Sequence, residues 1–347
     1  MKRAQRLSQN AITMHDVAQA AGVSSMTVSR ALSGSASVSP QTQKRIHQAI
    51  KKLRYSPNIA ARNLARATCL RIGLLYNNPS AAYLNEFLLG VLEQSRRTGC
   101  EIVLEKCGAK REKEAIRKLL NDGINGIVLP PPLSDSIRAL ESLRDADLPF
   151  VAVATGRREV ECLTVCIDDL KAAAAMTRYL LSLGHRKIGF IVGASNQKAS
   201  QQRYLGYKTA LREAGLDARP EWIRNGSFSY RSGLIAAEQL LAFADRPTAL
   251  FASNDDMAAG ALAVAHKLHL DVPAQLTIVG FDDTPLATAI WPALTTIRQP
   301  VAAMAEKAVE MLLDEIRLRR LGKTLAPLQK VLNFSLVRRE SSGIYQG

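Results

Sequence analysis

The chain has 347 residues, 47% of them hydrophobic, and a formal net charge of +15, which is room for a small domain plus one or two larger ones with ordinary cores. No run of about 18 uncharged apolar residues occurs, which excludes a membrane-spanning helix, and the basic start Met1-Lys2-Arg3 is followed by no apolar stretch, so a cytoplasmic protein without a secretory leader is expected. Cys69, Cys100, Cys107, Cys162 and Cys166 form no C-x-x-C pair and have no His partners at zinc spacing, so reduced thiols are expected, with neither metal nor cofactor.

The charge is segregated. Residues 1–68 carry eleven Lys and Arg against the single acid Asp16, +10 of the total, while the other 279 residues carry 35 bases and 30 acids. One end is thus suited to a polyanion and the rest to something else. Residues 1–10 read as a disordered basic arm, and residues 11–56 as an all-α helix-turn-helix domain. Thr13 and Asp16 have the spacing of a helix cap, a first helix runs over 16–21, and Gly22 supplies the left-handed exit. Ser24 then caps a second helix over 25–32. Ala18, Val23 and Val28 allow the two helices to cross closely, and only about three residues separate them. A third helix over 41–53 buries Ile46, Ala49, Ile50 and Leu53 and turns Lys44, Arg45, Lys51 and Lys52 outward.

With the second helix in a major groove, Ser25, Met26, Ser29 and Arg30 are placed to read base edges, Arg30 on guanine and Met26 on a thymine methyl. Ser24, Thr27 and Thr42 suit phosphate oxygens, and Thr13, Met14 and Ser39 complete the expected double-stranded DNA contacts. Pro57 then breaks the chain and Asn58 can cap a short alanine-rich helix, so residues 57–69 read as a hinge helix and linker that order on DNA.

The motifs Asp16-Val17-Ala18, Gly22-Val23-Ser24, Thr27-Val28-Ser29-Arg30, Val38-Ser39, Thr42 and Tyr55-x-Pro57-Asn58 resemble the LacI/GalR family of bacterial transcription regulators, and the resemblance runs essentially end to end. It implies a homodimer on a pseudo-palindromic operator. Tyr55, Asn58 and Ala61 would be further DNA contacts, and Leu64, between Arg62 and Arg66, would wedge into the central base step of the minor groove. Ser33, where the family often has asparagine, and the long basic arm are departures that leave the operator sequence open.

From Arg71 onward, apolar runs at 71–76, 101–106, 126–129, 150–154, 187–192, 249–253 and 276–280 alternate with helical patterns at 85–98, 112–121, 172–183, 204–214, 232–243, 258–268 and 301–320. This predicts parallel sheets covered on both faces. Arg71-Ile72-Gly73-Leu74-Leu75 and Lys187-Ile188-Gly189-Phe190-Ile191 echo one another. Two such doubly wound sheets leave a cleft at their carboxyl edges, where ligands bind in these folds.

The family's sensing core is periplasmic-binding-protein-like. By that resemblance residues 70–347 form an effector-binding and dimerisation core, with a first lobe of 70–167 and 299–327 and a second of 168–298 and 328–347. Arg203 matches the family's motif arginine, which clamps effector hydroxyls or a carboxylate, and Phe228 matches an aromatic stacking position. Asn254 and Asp282 close strands, Gln299 lies in a late crossover, and Asn77 and Phe87 are placed on the other lobe. Asp255, Asp168 and Asp169 read as helix caps, His185 as a helix-end residue, and Ala152 stands at a strand end where some sugar responders carry an acid.

No nucleotide loop, metalloprotease motif or nucleophile elbow is present, so no enzyme is expected. The expected function is a regulator, more specifically a repressor, whose grip on DNA is set by a small carbohydrate effector. A purine corepressor and a stand-alone binding protein are the alternatives. The tail lacks leucine heptads, which favours a dimer.

Overall fold

In the computed structural model, which describes residues 13–32, 39–53, 70–108, 110–155 and 162–346, the chain separates into two units, Met1–Cys69 and Leu70–Gly347. The described part of the first holds α1 (Met14–Ala21), α2 (Ser25–Leu32) and α3 (Pro40–Leu53). Thr13 and Asp16 cap α1 reciprocally: the Asp16 carboxylate accepts from the Thr13 N–H and hydroxyl at 2.7 Å each, and the Asp16 N–H donates back at 3.4 Å. The helix therefore begins at Met14, two residues before the expected start at 16. Gly22 ends it at φ 63°. Val17, Ala18, Val28, Ile46 and Ala49 form a small common core, with Val23 and Ile50 at its margin. Three short helices need this mutual burial because each alone is marginal.

The second unit contains two six-stranded sheets. β1 (Arg71–Tyr76), β2 (Glu101–Lys106), β3 (Gly126–Leu129), β4 (Phe150–Val153), β5 (Leu163–Cys166) and β11 (Gln329–Val331) make the first, in the order β2-β1-β3-β4-β5-β11. β6 (Ile188–Val192), β7 (Ile223–Asn225), β8 (Ala249–Ala252), β9 (Thr277–Asp282), β10 (Thr295–Arg298) and β12 (Ser335–Val337) make the second, in the matching order β7-β6-β8-β9-β10-β12. The pairings are parallel throughout except for the antiparallel β10–β12 pair. In each sheet the strand order reverses beside the first strand, β1 or β6, and the two echoing segments are those strands. That reversal opens a crevice at the carboxyl ends.

Helices α4 (Ala81–Thr98) and α11 (Val301–Arg320) share one core with the first sheet. Gly90 lets them meet backbone to backbone: a Cβ there would lie 2.2 Å from the Ala302 carbonyl oxygen. α5 (Glu112–Asn121) and α6 (Ile137–Asp145) bury leucines and Ile116 in a separate core that includes Leu75, Ile127 and Leu129 of the same sheet. In the second lobe α7 (Asp169–Ser182) and α8 (Lys198–Glu213) lie together, and α9 (Tyr230–Leu241) and α10 (Asp255–Lys267) form the other pair.

The third crossing between lobes, expected at 327/328, falls at 332–334. Residues Gln329–Val331 hydrogen-bond in parallel with Thr164–Cys166 in the first sheet before the chain reaches the second. So short a strand, exposed along its length, carries no apolar run to announce itself.

Candidate functional site

At the head, serines cap both outward helices in the same way. The Ser24 hydroxyl accepts from the Thr27 N–H at 3.2 Å and lies 2.9 Å from the Thr27 hydroxyl; Ser39 repeats this with Thr42 at 3.3 and 2.9 Å. Each helix thus begins with a paired hydroxyl and free backbone donors, a local geometry suited to a phosphate. Met26 projects from α2 with 65% of its surface exposed, and Ser25 is half-buried beside it. Thr13 is exposed with its hydroxyl engaged by Asp16, and Met14 packs against the core, which leaves its side chain less free for DNA than expected. Tyr55, Asn58, Ala61 and Leu64, with the hinge helix and the basic arm, lie outside the described residues, as do the side chains of Ser29 and Arg30.

The cleft between the lobes is built from strand ends. From the first lobe come Asn78, Ser80 and Tyr83 after β1, Pro131 after β3 and Ala154 after β4. From the second come Gln197, Ala199 and Arg203 at the start of α8, Phe228 after β7, Asn254 after β8 and Asp282 closing β9, with Gln299 after β10. Five of the seven expected effector residues, Arg203, Phe228, Asn254, Asp282 and Gln299, are therefore brought together. Asn77 and Phe87 are not among them. The turn after β1 directs Asn78 inward instead, its amide donating to the Pro131 carbonyl at 3.0 Å and its oxygen accepting from the Ser80 N–H at 2.8 Å. Phe87 is fully buried in the helix–sheet core, and Tyr83, one turn earlier on the same helix, reaches the cleft in its place. At β4 it is likewise Ala154, not the strand-interior Ala152, that lines the space.

Arg203 is the hub. It is 4% exposed; its Nε donates to Asp169 at 2.8 Å, its Nη1 donates to the Ser253 carbonyl at 2.6 Å and stands 3.5 Å from Asp282, and its flat face covers the Phe281 ring at 3.6 Å. Asp169 is thus a buried partner of the arginine, and the cap of α7 is Asp168 alone. The Asp282 carboxylate also accepts from the Gln299 amide at 2.6 Å. Burial, opposed by Arg203 and Gln299 and reinforced by Asp256 and Asp169, pushes the Asp282 carboxyl up to about 7.

Asp282 and Asp283 sit at φ 113° and 57°, a region L-residues seldom occupy. Asp255 holds that turn in place, accepting from the Thr284 N–H at 2.8 Å, the Thr284 hydroxyl at 3.2 Å and the Thr296 hydroxyl at 2.6 Å. Asp255 is therefore a buried anchor, and Asn254 is the cap of α10, its side chain accepting from the Met257 N–H at 3.0 Å. The Asn254 amide also donates to the Phe228 carbonyl at 3.1 Å. That bond fixes Phe228 at φ 61°, with its ring filling the space over Gly193, where a Cβ would come within 2.0 Å of it.

Among the described residues, the Ser80 and Asp135 side chains hydrogen-bond across the cleft to the other lobe. The Ser80 hydroxyl donates to Asp256 at 2.5 Å. Asp135, which also accepts from Thr155 at 2.6 Å, accepts from the Lys198 N–H at 2.8 Å and so caps α8 from the opposite lobe; an acid there also complements the helix dipole. The cavity left between the lobes is about 30 Å³, room for about one or two waters, so a sugar-sized ligand requires the lobes to part. The Tyr83 hydroxyl lines this cavity, is buried, and has no hydrogen-bond partner. Asn78, Ser80, Tyr83, Gln197 and the acids Asp135 and Asp256 escaped sequence reasoning because they sit in loops and first helical turns, ahead of any apolar periodicity. His185 is no simple helix-end residue either: its ring bonds Thr248, Thr277 and the Gly343 carbonyl at 3.0–3.1 Å and so ties the tail to the second lobe.

Residues 13–58 match the profile of bacterial regulatory proteins of the lacI family, and residues 177–342 match a periplasmic binding protein-like domain. The HTH-type transcriptional repressor PurR of Pectobacterium atrosepticum is 35% identical over 318 residues, 89% of this chain and 91% of its own. The chain belongs to the lacI family. It is accordingly a DNA-binding transcription regulator with a helix-turn-helix head and a periplasmic-binding-protein-like core. Among solved structures, the transcriptional regulator CelR–cellobiose complex is 30% identical with TM-score 0.72, covering 95% of this chain and 99% of that one. The lac repressor dimer bound to operator and an anti-inducer is 26% identical with TM-score 0.74, covering 96% and 100%.

Proposed function

We propose that this regulator is a homodimeric repressor whose two heads occupy the half-sites of a pseudo-palindromic operator, and that a sugar bound in the cleft changes its grip on that operator. The observation that carries the effector reading is the convergence of Arg203, Asp282, Gln299, Asn254 and the Phe228 ring at the carboxyl ends of the second sheet, opposite Asn78, Ser80 and Tyr83 of the first lobe. Planar polar groups beside one aromatic face suit the hydroxyls and the apolar face of a pyranose. CelR, the fold neighbour solved with cellobiose, supports a carbohydrate, and the lac repressor dimer on its operator supports the assembly.

At the head, the paired hydroxyls of Ser24–Thr27 and Ser39–Thr42 take phosphates, Met26 with Ser25, Ser29 and Arg30 reads bases, and Leu64 supplies the central wedge. Leu89 and Leu92 on α4, Leu104 on β2 and Trp291 in the second lobe are 49–76% exposed and offer apolar surface to a second subunit. Action on chromosomal DNA places the protein in the cytoplasm, and the ligand is bound without turnover.

To act as a switch, the effector must favour one lobe arrangement over the other. Ser80–Asp256 and Asp135–Lys198 are the contacts that distinguish a shut cleft from an open one. Melting the full chain with mono- and disaccharides and with purines tests the assignment, because a ligand that binds only the folded state raises Tm. Stabilisation by a sugar, with a matching change in operator affinity, is expected. Stabilisation by a purine alone would replace the sugar with a nucleobase corepressor.

A further inference from the structure

We infer that Asp169 makes the cleft refuse anions: it consumes the charge of Arg203 internally, so the effector is an uncharged polyol and its phosphorylated or carboxylated forms are rejected. This rests on the reading of the cleft as the effector site. A buried arginine at a ligand cleft ordinarily suggests a receptor for carboxylate or phosphate, because its fork matches two oxygens at once. Here that fork is already committed.

Arg203 is the one cation among the described residues lining the cleft. Its Nε faces Asp169 at 2.8 Å, and its Nη1 is divided between the Ser253 carbonyl at 2.6 Å and Asp282 at 3.5 Å. Its planar face is covered by the Phe281 ring. Asp169 and Asp282 are 6% and 4% exposed, so solvent screens this cluster little. Asp256, on Ser80 at the lobe junction, adds a third acid.

Among the described residues, one cation therefore meets these three carboxyl groups, with Asp135 of the first lobe a fourth acid at the junction, and the surplus is negative. Burial raises the carboxyls of Asp169, Asp256 and Asp282 despite the arginine, the response of a site short of positive charge. A phosphate entering here would lose its hydration and meet like charge in a medium of low dielectric. A sugar hydroxyl meets no such penalty, since it can donate to the Asp282 carboxylate and accept from the unpartnered Tyr83 hydroxyl.

The rule can be tested without knowing the sugar. In the full chain labelled with ¹⁵N-arginine, the Nε–H signal of Arg203 is identified by its loss in Arg203→Lys, and inorganic phosphate is titrated at constant ionic strength. Phosphate held by the basic head leaves this signal alone. The wild-type resonance is expected to stay put, whereas isosteric Asp169→Asn, which frees one positive charge, is expected to titrate with an affinity on the order of tenfold tighter. Should Asp169→Asn melt too early to assay, Asp282→Asn takes its place with the same expectation, titrated above about pH 7, where the wild-type Asp282 carboxyl is ionised.

A wild-type resonance that moves with phosphate overturns the proposal, and so does a variant as silent as the wild type. A second arm melts the full chain with neutral sugars beside their 6-phosphates and uronic acids. Stabilisation confined to the neutral members supports the proposal, and an acidic member that outdoes its neutral parent contradicts it. A panel with no stabiliser at all counts against the sugar reading, and the phosphate titration then decides the charge rule separately.

Discussion

The two lobes share one strand order and differ in chemistry. The first lines the cleft with Asn78, Ser80, Tyr83, Pro131 and Ala154, and the second with Gln197, Arg203, Phe228, Asn254 and Asp282. Among the described residues that line the cleft, the charged ones, Arg203 and Asp282, come from the second lobe, where Asp169, Ser253, Phe281 and Asp255 fix them before any ligand arrives. The first lobe supplies hydroxyls and apolar surface, and a latch made of Ser80 and Asp135. Identical topology thus sets where a ligand lies, while side chains divide the work: the second lobe is a preorganised platform and the first a cover.

Four substitutions or conditions sharpen that contrast. The largest effect belongs to Arg203→Ala, which strands Asp169 and Asp282 as buried acids without their cation. A loss of roughly 3 kcal/mol in urea unfolding of the core is expected, together with loss of the effector response. A variant with wild-type stability would mean that the platform is not preorganised by charge.

Asp255→Asn comes next. It offers one oxygen to three donors, so the turn carrying Asp282 loosens at a cost of about 1–3 kcal/mol, read by urea unfolding, with weaker ligand binding and little change in DNA affinity. Equal loss of both functions would show that the turn serves more than the cleft.

Acid dependence is the third. The folded protein holds the Asp282 proton up to about pH 7, while the unfolded chain releases it near the ordinary carboxyl value of 3.8. Between these pH values the folded state binds more protons, so this group makes stability fall as pH rises, with the loss complete above 7. Melting wild type and Asp282→Asn at successive pH values should show this slope in the wild type and a shallower one in the variant, where the raised carboxyls of Asp169, Asp255 and Asp256 remain. Parallel curves would contradict the assignment.

Ser80→Ala is the mildest, at about 1 kcal/mol. It should leave the platform intact, populate the open cleft and speed ligand association in stopped flow. An unchanged rate would show that the latch is not what holds the cover.

Much of this architecture was legible in the residues because strands and helices with full apolar faces announce themselves. Arg71–Tyr76 and Ile188–Val192 are runs of buried Ile, Leu and Phe, and the spacing from Thr13 to Asp16 is a cap that the chain forms. What escaped were segments without such a face. β7, β11 and β12 are three residues each, stabilised by ladder partners distant in sequence. Helices α4, α7 and α8 begin several residues before their apolar periodicity, in polar or small first turns such as Lys198-Ala199-Ser200 and Asp169-Leu170-Lys171.

The cleft divides along the same line. Arg203, Asp282 and Asn254 stand at strand ends or beside a recognisable motif, so their positions could be inferred. The choice between Asn77 and Asn78, or between Phe87 and Tyr83, depends on the path of one turn and the rotation of one helix, which long-range contacts settle. The pairing of Asp169 with Arg203 spans 34 residues and joins two helices whose contact no local pattern reveals.

The central claim is that occupancy of the cleft changes the grip of the head on DNA. Footprinting the full chain on a fragment selected for tight binding, with and without a sugar that raises its Tm, tests this most directly. A protected inverted repeat whose occupancy changes with the wild-type protein and stays fixed with Arg203→Ala is the predicted result. Protection that ignores a saturating ligand, or that covers no inverted repeat, would contradict it.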